Sequence, residues 1–305
     1  KPAVIERLRN AKPGIRVAAI DALGSLGDES DVWTLLDAAG SKNADVAEAA
    51  KVSLSRLSGK NVEARLLEHL DQANVGSRRV LIDVLGRRAY APAKSALIRS
   101  VRDPDRGIRL AAVKALGETL APEDVPTLID ILVQSSDSAD TAAAGKALLQ
   151  LGVRTDHKDA WCDALLAGLP RAAPPAKAAL LRALSHRGGP KALQAVKNAA
   201  QTTDTELRDV VIRILCDWPT AEADDDLLAI IRDSSDEEHR VLALRGYFRI
   251  AGLWHVPVPQ RLSMCREGLR HVRNDDERRL AIGTLAEIPN VEALKAVLPF
   301  LDGES

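Results

Sequence analysis

The apolar and polar positions of this chain follow one register that returns nine times. A basic residue leads, six mostly small or apolar positions follow, and Leu comes eighth, often with Gly behind it. RVAAIDALG from Arg16 and RLAAVKALG from Arg109 are the plainest copies. RRVLIDVLG from Arg78, RDVVIRILC from Arg208, RVLALRGYF from Arg240 and RRLAIGTLA from Arg278 are weaker, and AEAAKVSLS from Ala47, TAAAGKALL from Thr141 and KAALLRALS from Lys177 are degenerate. The eighth position falls at Leu23, Leu54, Leu85, Leu116, Leu148, Leu184, Leu215, Tyr247 and Leu285, in steps of 31, 31, 31, 32, 36, 31, 32 and 38 residues. Spacing this regular is a repeat, not an accident of composition. Four residues ahead of each start stands a second marker: Lys12, Asn43, Asn74, Asp105, Asp137, Ala173, Asp204, Asp236 and Asn274. Seven of these nine are Asn or Asp, N-caps whose side chains satisfy an orphan N–H and stabilise a helix by about 1 kcal/mol.

Each marker therefore opens the second helix of a pair. The segments between markers, such as VWTLLDAA, ARLLEHL, PTLIDILV and ALKAVLPFL, carry apolar residues at helical spacing and supply the first helix. The predicted pairs are 2–10 with 14–26, 29–40 with 44–57, 61–71 with 75–87, 90–102 with 106–119, 123–135 with 138–152, 156–169 with 174–185, 189–201 with 204–217, 221–232 with 236–251 and 257–272 with 276–287, and a last helix covers 290–301. A unit this thin cannot bury its own apolar stripe, so the units must stack.

The order "Asp or Asn, then Arg, then AAxALG" at this period resembles HEAT repeats, especially the short bacterial form also found in phycobilisome lyase-like repeats. The resemblance covers nearly the whole chain. It implies an all-α superhelix, a HEAT-repeat solenoid of about nine helix pairs plus a terminal helix, running as a single domain over 1–305. It also implies that the leading basic residue ties neighbouring repeats together and that second helices line the concave side. Ala47 and Thr141 depart from the basic position, so repeats 2 and 5 are expected to be locally looser. The terminal helix lacks a partner. Leu294, Val297, Leu298, Phe300 and Leu301 read as apolar and unshielded, which suggests a fragment of a longer multidomain chain.

Composition sharpens this picture. Aromatic residues are 3 % of the chain, too few for a large globular core, so thin layers of Ala, Leu, Val and Ile must fill it. With 42 basic and 43 acidic residues the net charge is −1, without the basic excess usual in a nucleic-acid binder. No apolar run approaches the roughly 18 residues that span a bilayer. Cys162, Cys216 and Cys265 form no disulfide framework and read as small buried hydrophobes.

No catalytic, metal or cofactor site is read from the sequence. The six His residues form no HExxH and no close cluster with Cys. HEAT-like deoxyhypusine hydroxylases hold iron with paired His-Glu dipeptides, and no His here precedes Glu. There is no GxSxG and no P-loop. Asp224-Asp225-Asp226 and Asp275-Asp276-Glu277 sit at helix starts, where they favour the positive end of the dipole.

Two features point to binding. Five residues after the leading basic position lie Lys114, Lys146, Arg182, Arg213 and Arg245 in repeats 4 to 8, facing away from the Ala/Leu stripe. Stacked, they would form a basic ladder for an acidic protein segment or another polyanion; a solvated face is the plainer reading. Two units are long, around Arg154–Cys162 and Ile250–Pro259, and such insertions map to loops on one edge. In the second, Trp254 and His255 read either as an exposed partner anchor or as a plug for the longer loop. Trp33 and Trp161 are expected in the core at matching first-helix positions, and Trp218 over the turn before Pro219. The function expected is a non-catalytic protein-interaction scaffold. The alternatives are a nucleic-acid-binding or DNA glycosylase-type module and a lyase-like chaperone subunit. A row of stacked pairs must be elongated: solution scattering should give a radius of gyration well above the roughly 19 Å of a compact globule of this length.

Overall fold

The structure, a computed structural model, describes residues 2–10 and 12–301, with side chains described for 3–8 and 12–298. Helices occur in pairs, and no strand occurs among the described residues. The first helices are α1 (Pro2–Asn10), α3 (Val32–Ala39), α5 (Val62–Glu68), α7 (Lys94–Ser100), α9 (Val125–Gln134), α11 (Lys158–Gly168), α13 (Pro190–Ala200), α15 (Asp224–Asp233), α17 (Val258–Leu269) and α19 (Val291–Leu301). Their partners are α2 (Pro13–Leu26), α4 (Ala44–Arg56), α6 (Val75–Arg87), α8 (Arg106–Thr119), α10 (Ser138–Arg154), α12 (Pro174–Arg187), α14 (Thr205–Cys216), α16 (Glu237–Ala251) and α18 (Asp275–Ala286). The chain forms two compact units, 1–156 and 157–305, and the division falls inside the first long connection.

The second helices begin where the marker residues place them. All seven Asn and Asp markers accept a backbone N–H from the first turn, for example Asn74 from Ser77 at 3.0 Å and Asp204 from Leu207 at 2.8 Å. The two exceptions have a reason. Lys12 and Ala173 are each followed by Pro at the first helical position, whose fixed φ starts the helix and which leaves one fewer orphan N–H to satisfy. First helices are shorter than predicted. The segments 29–40, 90–102, 123–135 and 221–232 each open with a 3₁₀ turn, and α7 stops at Ser100 ahead of the helix-averse Asp103-Pro104.

Within each unit second helices pack on second helices, and each also packs on its own first helix. The eighth position of the repeat is at most 3 % exposed in all nine copies. Gly behind it has a separate task. A methyl group on Gly86 would lie 2.7 Å from Ala115 Cα, and one on Gly117 would lie 2.9 Å from Ala147 Cα. The residue after Leu in one repeat thus meets the residue before Leu in the next, and the ALG motif is a contact between neighbouring helices. At Cys216 and Gly246 the small partner is the later one, with the same 2.7 Å approach.

Arginine ties the repeats in both directions. Forward, Arg78 pairs with Asp103 at 2.8 Å, Arg109 with Asp140 at 2.8 Å, and buried Arg240 with buried Glu277. Backward, Arg88 donates to the carbonyls of Leu54, Ser55 and Leu57 at the end of α4. Arg154 does the same for Gly117, Glu118 and Leu120, and Arg249 for Cys216 and Trp218. These guanidinium groups satisfy helix C-terminal carbonyls that have no partner inside their own helix. The leading basic residue is not a tie everywhere: Arg278 pairs with Asp275 inside its own helix, and buried Nε of Arg16 has no partner.

Two experiments probe this packing. In Gly86→Ala and Gly117→Ala the new methyl meets backbone, so overpacking of about 1–3 kcal/mol should outweigh the roughly 1 kcal/mol gained in helix propensity. Gly283→Ala meets nothing within 4 Å, so its urea midpoint should rise while the other two fall. Arg240→Met strands Glu277, whose side chain is 6 % exposed, at a cost of about 3–5 kcal/mol that Arg240→Met/Glu277→Leu should largely recover. Burial opposes ionisation of Glu277, but hydrogen bonds from Arg240 and the Arg273 N–H hold its carboxyl below the usual range. Its contribution is therefore complete above the unfolded-state value of about 4.3 and is lost as pH falls through the lower folded-state value. Unfolding curves measured between neutral and acid pH should show that loss in the wild type and not in the double variant.

Candidate functional site

Inside each unit, a second helix that lies between two others has both flanks covered by them. Five residues after the leading basic position is where the helix faces out. Lys114, Lys146, Arg182, Arg213 and Arg245 are all exposed, and the residues on either side of each are buried. Lys114 and Lys146 stand on α8 and α10 of the first unit; Arg182, Arg213 and Arg245 stand on α12, α14 and α16 of the second.

The five cations differ in how far they are already neutralised. Lys114 bonds Asp83 at 2.9 Å and lies 3.9 Å from Glu118. Arg87 bonds the same Asp83 at 2.9 Å and Glu48 at 2.7 Å. This network runs across α4, α6 and α8, and the Arg87 hydrogen bond holds the Glu48 carboxyl below its usual range. Burial pushes the Glu118 carboxyl up, against the pull of Lys114. Arg213 pairs with Glu238 at 3.1 Å. Lys146, Arg182 and Arg245 have no ion pair among the described residues.

A groove of about 610 Å³ opens beside that network, over the first turns of α6 and α8. Gly76, Gly107, Leu110 and Ala111 form its floor, and Lys51, Arg79, Arg87 and Lys114 surround it, with Asp83 as the acid among its lining residues. Arg79 is exposed and lies on Gly107: a methyl there would come within 2.9 Å of its guanidinium carbon. Arg79 has no ion pair among the described residues. Sequence reading passed over Arg79, Gly76 and Gly107. A signal was present, because Gly occupies the second helical position in repeats 1, 3 and 4 (Gly14, Gly76 and Gly107), where Asp45, Glu206, Glu238 and Asp276 stand in others.

The second long loop departs from the plug reading. Trp254 is 88 % exposed, with its ring edge-on to exposed His255 at 5.6 Å. Buried Val256 fills the space beneath, and Arg261 donates to the carbonyls of Ala251 and Gly252, closing the end of α16 without the indole. Trp161 is buried as expected, but Trp33 is 43 % exposed against His69. The two are out of register: Trp33 is the second residue of α3 and Trp161 the fourth of α11. Trp218 is wholly buried, and its carbonyl accepts a hydrogen bond from Arg249. On α19, Leu294 and Leu298 are exposed, but Val297 is buried against expectation, while the side chains of Phe300 and Leu301 lie outside the described residues.

Among the described residues, no three His, Cys, Asp or Glu side chains converge to hold a metal ion, and no helix is long and apolar enough to cross a membrane. Burial pushes the Cys216 thiol up to about 12 and that of Cys265 to about 11. Cys162 is half-buried rather than buried, because it faces the rim of α11. Asp224 to Asp226 and Asp275 to Glu277 form the first turns of α15 and α18.

Residues 62–149 match the family described as HEAT repeats. None of the curated proteins matches the sequence. Among solved structures, Kap95p in a complex with RanGDP is similar over 98 % of this chain and 46 % of its own, with 12 % identity and a TM-score of 0.56. A Kap121p mutant is similar over 99 % of this chain and 38 % of its own, with 12 % identity and a TM-score of 0.54. The chain therefore spans less than half of either karyopherin, and identities this low speak to the fold alone. The complex of CpcE and CpcF of phycocyanin lyase from Nostoc sp. PCC7120 is similar over 88 % of this chain and 93 % of its own, at 17 % identity, but its TM-score of 0.35 carries no argument.

Proposed function

We propose that this all-α array of HEAT-type repeats is a non-catalytic scaffold that holds a protein partner on the face of its second helices. The observation that carries the reading is the outward position near the middle of the second helices, basic at Lys114 and Lys146 in the first unit and at Arg182, Arg213 and Arg245 in the second, with Lys146, Arg182 and Arg245 unpaired among the described residues. Long cationic side chains at fixed spacing on packed helices suit an acidic segment of the partner, since complementary charge speeds encounter and fixes register. The net charge of −1 gives no general attraction to polyanions, so the complementarity is local. Trp254, held out by an anchored loop, is a second contact point of the kind that dominates interface energetics. Kap95p, of similar fold, was solved bound to a protein; that precedent supports the reading only by analogy.

A photo-crosslinking amino acid placed at Arg182 or Arg245 should capture one and the same protein in the native host, whereas placement at exposed Gln194 on α13 should not. With that protein purified, Arg182→Glu/Arg245→Glu should weaken the complex by about tenfold or more, and salt should weaken the wild-type complex. Equal adducts from all three positions, or unchanged affinity, would reject the reading. Capture of nucleic acid instead, with a steep salt slope, would replace it with the alternative.

A further inference from the structure

The groove over α6 and α8 carries the scaffold reading one step further. Gly76 and Gly107 weaken the first turns of their helices, where Asp or Glu would complement the dipole. Other glycines in these helices earn their place by packing: methyl groups on Gly86 and Gly117 would strike backbone. These two do not. A methyl on Gly76 would meet only its own cap, Asn74 Oδ1, at 3.5 Å, an ordinary contact. The atoms that a methyl on Gly107 would meet first all belong to the Arg79 side chain, which can swing away. What both positions have in common is that each leaves the groove open.

The second unit shows what is missing. There Glu238, at the second position of α16, reaches back to Arg213 on the preceding second helix, α14. Gly107 is the equivalent position of α8, and the cation that lies against it from the preceding second helix is Arg79 on α6. Arg213 stands five residues after its leading basic position and Arg79 one residue after, so the two are not equivalent; what they share is a cation within reach of the second position of the next second helix, and at α8 that position is Gly. The remaining cations of the groove are engaged: Lys51 lies 3.7 Å from Glu48, and Arg87 and Lys114 share Asp83. Arg79 is the one left over, above an apolar floor of Leu110 and Ala111.

We infer that the groove at Arg79 and Gly107 receives a carboxylate side chain from an acidic segment of the protein partner. An Asp or Glu of that segment forks onto Arg79, and an apolar neighbour rests on the glycine floor. Asp83 is the acid that lines the groove, and Arg87 and Lys114 both pair with it, so the charge it would turn toward an incoming carboxylate is already answered. The inference rests on the scaffold reading but can fail without it.

The test uses the full chain and a short fluorescein-labelled peptide of alternating glutamate and leucine, with its lysine counterpart and a DNA duplex as comparison probes. Fluorescence anisotropy should show binding of the glutamate peptide alone. Arg79→Ala should weaken it by about tenfold. Gly107→Glu, which supplies the carboxylate internally, should abolish binding while leaving the melting temperature at or above that of the wild type. That last readout separates a filled groove from a damaged fold. No binding to the wild type, affinity within about twofold in both variants, or preference for the duplex would overturn the inference. If crosslinking at Arg182 persists while both groove variants bind as the wild type does, the groove assignment alone falls.

Discussion

Everything in this molecule depends on how closely one second helix can approach the next. A two-helix repeat has too little interior to hide its apolar stripe, and only the neighbour can cover it. The approach is set by small residues. Gly86 against Ala115 and Gly117 against Ala147 bring helix backbones to within a methyl group of each other, and Leu85 and Leu116 are buried behind that seam. A larger side chain at the seam would force the helices apart and open the leucine layer on both sides.

Close stacking then decides what is left to bind with. When both flanks of a helix are covered, one mid-helix position per repeat remains outside, and side chains from successive repeats fall close enough to pair. The same geometry that exposes a cation therefore brings it an acid. Lys114 illustrates this: it faces out as its register requires, but Asp83 holds the equivalent position one repeat earlier and takes its charge. Where the previous residue offers no acid, as at Lys146 behind Lys114, the cation has no ion pair among the described residues. The useful cations of such a surface are those whose neighbours in the stack do not answer them, and Arg79 over Gly107 is one.

Arginine has a different role at the helix ends. Arg88, Arg154 and Arg249 each reach back to the last carbonyls of the preceding second helix, so a repeat completes the hydrogen bonding of the one before it. Backbone groups at these ends are satisfied by sequence-distant side chains, which couples neighbouring repeats as firmly as apolar burial does. Such residues look like ordinary surface basics in the sequence because they do not share one register position.

Local chemistry was legible in the sequence because caps, period and leucine positions depend on residues a few places apart. Asn74 caps α6 and Pro174 opens α12 for reasons contained within one turn, and the second-helix boundaries follow to within about two residues. The fold class is settled at the same level, since a thin amphipathic pair has no other way to hide its stripe. Contacts across some thirty residues were decided only in three dimensions. Whether Lys114 is free, whether Trp254 plugs or protrudes, and whether Trp33 is covered depend on what another repeat places beside it. The glycine at position 107 is the plainest case: its identity is visible in the sequence, but its purpose appears only when Arg79 lies across it, because an ion pair withheld is a property of two helices and of neither alone.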